Sequence, residues 1–330
     1  MGDNRNRKLK QKINTIRTNE VMELWIKLKG NPTSGGGNAV QLFWTGGWDS
    51  TYRLVELSRQ DVIIQPVYVC DPTRQSILRE KRAMTEILDC LKSKKETRAV
   101  VHDTIFVAYE DIPENAAITT AYNHILEKVR LGSQYDYLAR FALYHPGIEI
   151  GIEKPHGEFS GCDAAVDEFG TWLYNGKTWV IDCEKSSEAL NLVFGNISFP
   201  IRDITEQEMV KNIHKWGYED VMQHIWFCYT PVHGKPCGKC RPCQQKMDCG
   251  MEFLLPESAH KRYARWKRRT EFYKEMRKYR VFDYMFKKAE MLKKIIQHFR
   301  TKLREKIRKY KVLDYLYEKA KMLKNMILHQ

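Results

Sequence analysis

Residues 42–54, LFWTGGWDSTYRL, place two glycines, an aspartate and the hydroxyls of Thr45, Ser50 and Thr51 directly behind an apolar run. In open α/β sheets ligands bind beyond the carboxyl ends of the strands, where a helix begins. Glycines there let backbone N–H groups approach an anion, and the helix N-terminus adds partial positive charge. Gly46 and Gly47 suit that approach, with Thr45, Ser50 and Thr51 as hydroxyl donors. Asp49 repels a phosphate unless a cation such as Mg²⁺ lies between them. The stretch lacks the Gly-Lys-Ser/Thr ending of a Walker A loop and the G-x-G-x-x-G of the dinucleotide fingerprint. The plainer alternative is a β-turn with Asp49 capping the next helix.

Working outward, residues 39–44 predict a buried strand and 49–59 a helix. Residues 61–71 predict a second strand, and 79–95 a helix with Met84, Ile87, Leu88 and Leu91 on one face. AVVHDTIFV (99–107) predicts a third strand, 117–129 and 135–143 two helices, and GIEIGIE (147–153) a fourth strand. EALNLVFGNISFPI (188–201) predicts a fifth segment, and residues 167–184 a hairpin over the pocket with Asn175-Gly176 as its turn. Strands alternating with helices predict an α/β class with a mainly parallel sheet.

The 330 residues, 43% hydrophobic and 12% aromatic, are those of a folded chain of one or two domains. The charged opening MGDNRNRKLKQK predicts no export leader, and no apolar run approaches the roughly 18 residues of a membrane span. A reducing cytoplasm is the expected compartment. The net charge of +14 is uneven: residues 257–330 hold 24 Lys and Arg against 8 Asp and Glu, and the remainder is near neutral. Arguments from charge about nucleic acid or membrane therefore concern the tail.

Cys228, Cys237, Cys240 and Cys243 are spaced C-x8-C-x2-C-x2-C, with Gly234, Pro236, Gly238 and Pro242 supplying turns. Four thiolates on short spacers suit tetrahedral Zn²⁺. A redox C-x-x-C and an iron–sulfur cluster are the alternatives. Cys70, Cys90, Cys162 and Cys183 read as buried small hydrophobes, and Cys249 as a spare that competes as a ligand.

TGGWDST resembles the S-G-G-x-D-S signature of the PP-loop ATP pyrophosphatases, with Thr45 keeping the hydroxyl of the usual Ser. Together with the cysteine spacing it resembles the 7-cyano-7-deazaguanine synthases of the queuosine pathway over residues 39–253, where FPIRDITEQEMV and WFCY echo family segments. The resemblance implies a Rossmann-like PP-loop domain of the adenine nucleotide alpha hydrolase-like fold with a structural zinc. It implies an ATP-dependent C–N ligase that adenylates 7-carboxy-7-deazaguanine or a related acid and transfers it to ammonia or another amine. Carried over, Thr45, Gly46, Gly47, Asp49, Ser50 and Thr51 hold ATP, Asp49 and Ser50 are catalytic, Asp49 helps hold Mg²⁺, and the four cysteines bind zinc. Three segments depart from the family. Glu206 replaces a Lys, Gln245-Lys246 replaces Leu-Arg, and CDPTRQS (70–76) replaces an aromatic-Gly-Gln run. The resemblance is therefore to a divergent relative, with the ATP half retained and the small-substrate half rebuilt, such as occurs in bacterial defence or other specialised gene clusters.

Gln134 and Tyr135, with Arg140, can recognise a purine edge or an acid, and His156 and Glu158 sit in a loop suited to acid–base work. For Gln134, Tyr135 and Arg140 the plainer reading is core packing, and for His156 and Glu158 a solvated loop. Three domains are expected: a basic amphipathic helix (1–29) and Gly/Ser linker up to 37, the nucleotide and zinc domain at 38–255, and a helical tail at 256–330. The tail repeats 277–296 at 308–327. It suits a helical hairpin or homodimer contact, a membrane surface, nucleic acid or a protein partner. A tRNA-modifying PP-loop enzyme and a non-catalytic nucleotide-binding adaptor are the other functional expectations.

Overall fold

The computed structural model describes residues 39–74, 76–154 and 161–278, and beyond them positions 288, 291, 294, 298 and 302. The helix expected at 1–29, the linker, His156, Glu158, and all but a few positions of the two repeat copies lie outside the described residues. The chain divides into two compact units, 1–260 and 261–330.

The first half alternates as its apolar runs require. Strand β1 (Ala39–Phe43) leads through the glycine turn into helix α1 (Trp48–Ser58), then β2 (Ile63–Cys70) and α2 (Ile77–Ser93). β3 (Val100–Val101) and β4 (Ile105–Ala108) follow, then α3 (Ala116–Leu126), α4 (Gln134–Ala142) and β5 (Ile148–Ile150). The third strand, expected in one piece, is split. Both halves pair parallel with β2, β3 at Ile63–Ile64 and β4 at Val67–Cys70. The gap falls beside Pro66, which has no N–H for a ladder. The Gln65 side chain bridges it, donating to the carbonyls of Pro66 and Asp103 at 3.1 and 3.0 Å.

The second half runs through α5 (Cys162–Phe169), a hairpin of β6 (Trp172–Tyr174) and β7 (Trp179–Ile181), α6 (Glu188–Phe194) and β8 (Ile197–Ser198). The hairpin expected at Asn175-Gly176 forms, with Gly176 at φ +89°. Of the segment 188–201 only two residues are strand. Its first seven are helical, because Ser187 caps them through Leu190 N–H and Leu190, Val193 and Phe194 share a buried face. Then come α7 (Glu206–Trp216), α8 (Glu219–Met222), α9 (Arg241–Asp248) and α10 (Glu257–Arg277).

All the pairings of the main sheet are parallel, in the order β3/β4, β2, β1, β5, β8. Period-two alternation splits the core in two. Phe43, Val67 and Val69 face one cluster with α3, α4 and α6, while Leu42, Trp44, Ile64 and Tyr68 face another with α1, α2 and α7. Helices thus cover both faces, as in Rossmann-like folds, and the central strands are mostly apolar, with Gln41, Gln65 and Glu149 as their polar positions. From β1 the chain moves outward to β2 and β3/β4, then returns to the other side of β1 with β5. The reversal opens a crevice between the carboxyl ends of β1 and β5. No helix among the described residues is long and apolar enough to cross a membrane.

Candidate functional site

A cavity of about 660 Å³ lies at that crevice, lined from the ends of β1, β2 and β5 and from α1, α4 and α9. Gly46 turns the chain at φ +67°, where a Cβ would press Met84 at 3.2 Å, and its carbonyl accepts Trp226 N–H at 2.8 Å. Gly47 is the N-cap of α1, and no side chain caps the helix, so its first N–H groups remain available to an anion. Asp49 therefore does not act as the cap. Gly151, just beyond β5, crosses so closely that a Cβ would lie 2.7 Å from Ser50 N.

Thr45, Gly47, Asp49 and Ser50 line the cavity. Thr45 N–H donates to Ser50 Oγ at 3.3 Å, and the two hydroxyls are 3.4 Å apart. Thr51 is fully buried, and its hydroxyl accepts Trp44 Nε1–H at 3.0 Å. Neither Thr51 nor Gly46 is part of the cavity wall. Gln134 and Tyr135 line it, whereas Arg140 is buried in an ion pair with Asp136 at 3.0 Å and donates to the carbonyls of Ile112 and Pro113. The hairpin contributes no lining residue. Its Trp172 and Trp179 sandwich Arg202, which pairs with Asp163 at 3.1 Å.

Three carboxylates converge at the cavity, two of them lining it and the third buried behind them. Asp49 comes from the first turn of α1, Glu153 from beyond β5 and Glu206 from the start of α7. One oxygen of each lies within 4.8 Å of the others. Glu153 accepts Gln245 Nε2–H at 2.6 Å, and Glu206 pairs with Lys246, both donors on α9. Burial pushes the Asp49 carboxyl up to about 6 against the pull of Lys246. Burial, then the charges of Asp49 and Glu206, push Glu153 up to about 9. Cys249 stands beside this cluster and apart from the other cysteines; burial, then Glu206, raise its thiol to about 12.

On the cavity wall Arg74 is held at 2.8 Å by Glu80, a buried carboxylate that also accepts the hydroxyls of Tyr68 and Ser76. Tyr137 and Arg241 line the same cavity. Glu153, Tyr137 and Arg241 were not among the expected site residues, while Arg74, Gln245 and Lys246 lie in the segments marked as departing from the family near its small substrate. Each reads singly as a solvated or packed side chain, and only Glu153, at the end of the fourth strand, stood where active-site groups gather.

The Sγ atoms of Cys228, Cys237, Cys240 and Cys243 gather within 4.8 Å, and the 237–243 and 228–240 pairs are 3.9 Å apart. Four sulfurs at about 2.3 Å from one tetrahedral ion stand ~3.8 Å apart, so the cluster could hold a single metal such as zinc; an iron–sulfur cube would spread them. Backbone N–H groups of Cys237, Lys239 and Cys240 donate to the sulfurs at 3.2–3.3 Å, as thiolates require. Contact with Cys228 and Cys243 pulls the Cys240 thiol far down, while Cys243 is driven up. All four become thiolates only with a cation between them. Gly238, at φ +72°, passes against the Ala259 carbonyl with no room for a Cβ. The segment is tied back to α2, where Arg79 donates to Gly234 O at 3.0 Å and lies over Trp226. Helix α9 starts at Cys240, buries Cys243 in the thiol cluster and presents Lys246 to the carboxylates one turn later.

No model of a known protein family matches the chain, and no curated protein matches it.

Proposed function

We propose that residues 38–255 form an ATP-dependent ligase of the 7-cyano-7-deazaguanine synthase type, acting on a deazapurine acid or a related carboxylate. The observation that carries this reading is the uncapped N-terminus of α1 behind T-G-G-W-D-S-T, facing the cavity at the sheet's reversal point. A substrate carboxylate oxygen attacks the α-phosphorus of ATP and pyrophosphate leaves. Ammonia or another amine then attacks the acyl carbon and AMP leaves; from the ammonia-derived amide, a second ATP adenylates the amide oxygen with release of pyrophosphate, and loss of AMP and the nitrogen's two protons gives the nitrile. The first N–H groups of α1 and the hydroxyls of Thr45 and Ser50 hold the departing pyrophosphate. Arg74, kept in place by Glu80, attracts the acid, and Tyr135 and Tyr137 offer faces to a flat ring. The orphaned buried oxygen of Asp49 fits a cation, and Mg²⁺ bound there supplies the positive charge that lets an acid and a phosphate share the site. Zinc on the four cysteines fixes the start of α9, and cysteines that form no disulfide suit a reducing cytoplasm.

The test incubates wild type and Asp49→Asn with ATP, Mg²⁺, 7-carboxy-7-deazaguanine and ammonia. AMP, pyrophosphate and an amide or nitrile, made only by wild type, are expected. ATP left intact with every carboxylate offered sinks the proposal. Helix α10 exposes Arg265, Arg268 and Lys274, the feature that favours a macromolecular acceptor such as tRNA; co-purified RNA released steeply by salt would favour that reading.

A further inference from the structure

We propose that Asp49, Glu153 and Glu206 form a protein-built site for one hard divalent cation, Mg²⁺ or Mn²⁺, which fills without nucleotide. The reading above needs only a cation carried in with ATP, so this goes beyond it. Each of the three carboxylates keeps one oxygen that is shut off from solvent and has no hydrogen-bond partner: Asp49 Oδ1, Glu153 Oε2 and Glu206 Oε2. Glu206 is wholly buried beside Lys246 and the Cys249 thiol, and its second oxygen keeps lone pairs for a cation. A spread of 4.8 Å or less between one oxygen of each carboxylate is what one ion at about 2.0–2.5 Å from each oxygen spans.

Charge points the same way. Once all three carboxylates are ionised, they leave a formal −2 beside the Lys246 ammonium in a buried place. One divalent cation brings the cluster to neutrality. All three donors are oxygens, with no imidazole among them, which selects a hard ion over zinc. The ligands are also fixed beforehand. They come from α1, the end of β5 and α7, and α9 grips two of them, through Gln245 on Glu153 and Lys246 on Glu206. Asp49 and Glu153 line the cavity, so the ion's remaining positions open toward water or a phosphate.

The experiment titrates Mn²⁺ into the zinc-loaded full-length chain without nucleotide and follows free Mn²⁺ by electron paramagnetic resonance. One Mn²⁺ per chain is expected, weakened at least about tenfold in Glu153→Gln and in Glu206→Gln. Glu206→Gln also strips Lys246 of its partner and can disturb folding, so Glu153→Gln, with zinc content and circular dichroism unchanged, decides. Mn²⁺ that binds only once ATP is added, or binds wild type and Glu153→Gln alike, overturns the site. If Mn²⁺ fails alone while ATP is still split, this site falls and the ligase reading stands. If Mn²⁺ binds alone and ATP is never split, the outcome is reversed.

Discussion

Gly151→Ala tests how the sheet positions the site. Gly151 follows β5 and passes across the first turn of α1, and an added Cβ would lie 2.7 Å from Ser50 N, 2.8 Å from Ser50 Cα and 2.9 Å from the Asp49 carbonyl carbon. These are backbone atoms of a helix with no side chain to swing aside. Non-bonded heavy atoms attract only from about 3.5 Å, so β5 and α1 must part by ~0.8 Å. Its φ lies outside the left-handed region, so the alanine itself is not strained and the effect is purely one of space. Overpacking of this kind costs about 1–3 kcal/mol. For a unit of this size that lowers Tm by about 2–10 °C. The same displacement moves Asp49 and Ser50 away from Glu153. Thermal unfolding of the zinc-loaded protein, variant against wild type, is the assay. If Gly151→Ala melts with wild type and binds Mn²⁺ equally well, the close crossing of β5 over α1 does not constrain the site.

Other consequences follow from named contacts. Arg53 reaches Glu149 with Nε and Nη2, both at 2.8 Å, tying α1 to β5, so Glu149→Ala should cost about 3 kcal/mol and lower the urea midpoint without changing the slope. Bonds from the Thr205 hydroxyl and N–H hold Glu208 below its ordinary value of 4.5. This contribution is complete above that pH and fades as pH falls through the lower folded value, so Thr205→Ala should flatten the pH dependence of urea stability in that acidic range. Chelation of the thiol-bound metal should weaken Mn²⁺ binding at least about tenfold, because Cys243 and Lys246 share one helix, and unchanged Mn²⁺ affinity in the stripped protein would uncouple the two sites.

The parts of the fold that were legible in the sequence are those carried by short-range pattern. The run from β1 through the glycine turn to α1 could be read because apolar residues, turn residues and helix formers follow one another within twenty positions. The thiol cluster could be read because metal geometry forces short spacers between ligands. Less legible was what depends on the partner strand. The break between β3 and β4 answers to Pro66 on β2, and the helical turn at Glu188–Phe194 answers to a cap one residue before it. Thr51 carries the right group at the right spacing, yet its place in the helix turns it inward to Trp44, a matter of helical phase that the turn motif alone does not specify.

The segments that depart from the deazaguanine synthase pattern stand apart along the chain, and two of them meet in space. Glu206 opens α7, and Gln245-Lys246 lies some forty residues on, yet Lys246 pairs with Glu206 and Gln245 donates to Glu153. A lysine at 206 would face Lys246 across a buried contact and repel it; a glutamate there makes the pair attractive and adds a third carboxylate beside Asp49. A leucine at 245 would leave Glu153 without its amide donor. The third departure, residues 70–76, leads into α2 and supplies Arg74 and Ser76, both bonded to Glu80. Each of these residues meets a partner brought to it by the fold. Together they put negative charge beside Asp49 at the α1 end of the cavity and set an arginine on its wall. A double exchange, Glu206→Lys with Lys246→Glu, keeps the ion pair and the net charge but turns it around. If the pair serves folding alone, that variant should match wild type in both Tm and Mn²⁺ affinity. If Glu206 is a ligand, stability should return while Mn²⁺ binding stays at least about tenfold weaker, and recovery of both would remove Glu206 from the cation site.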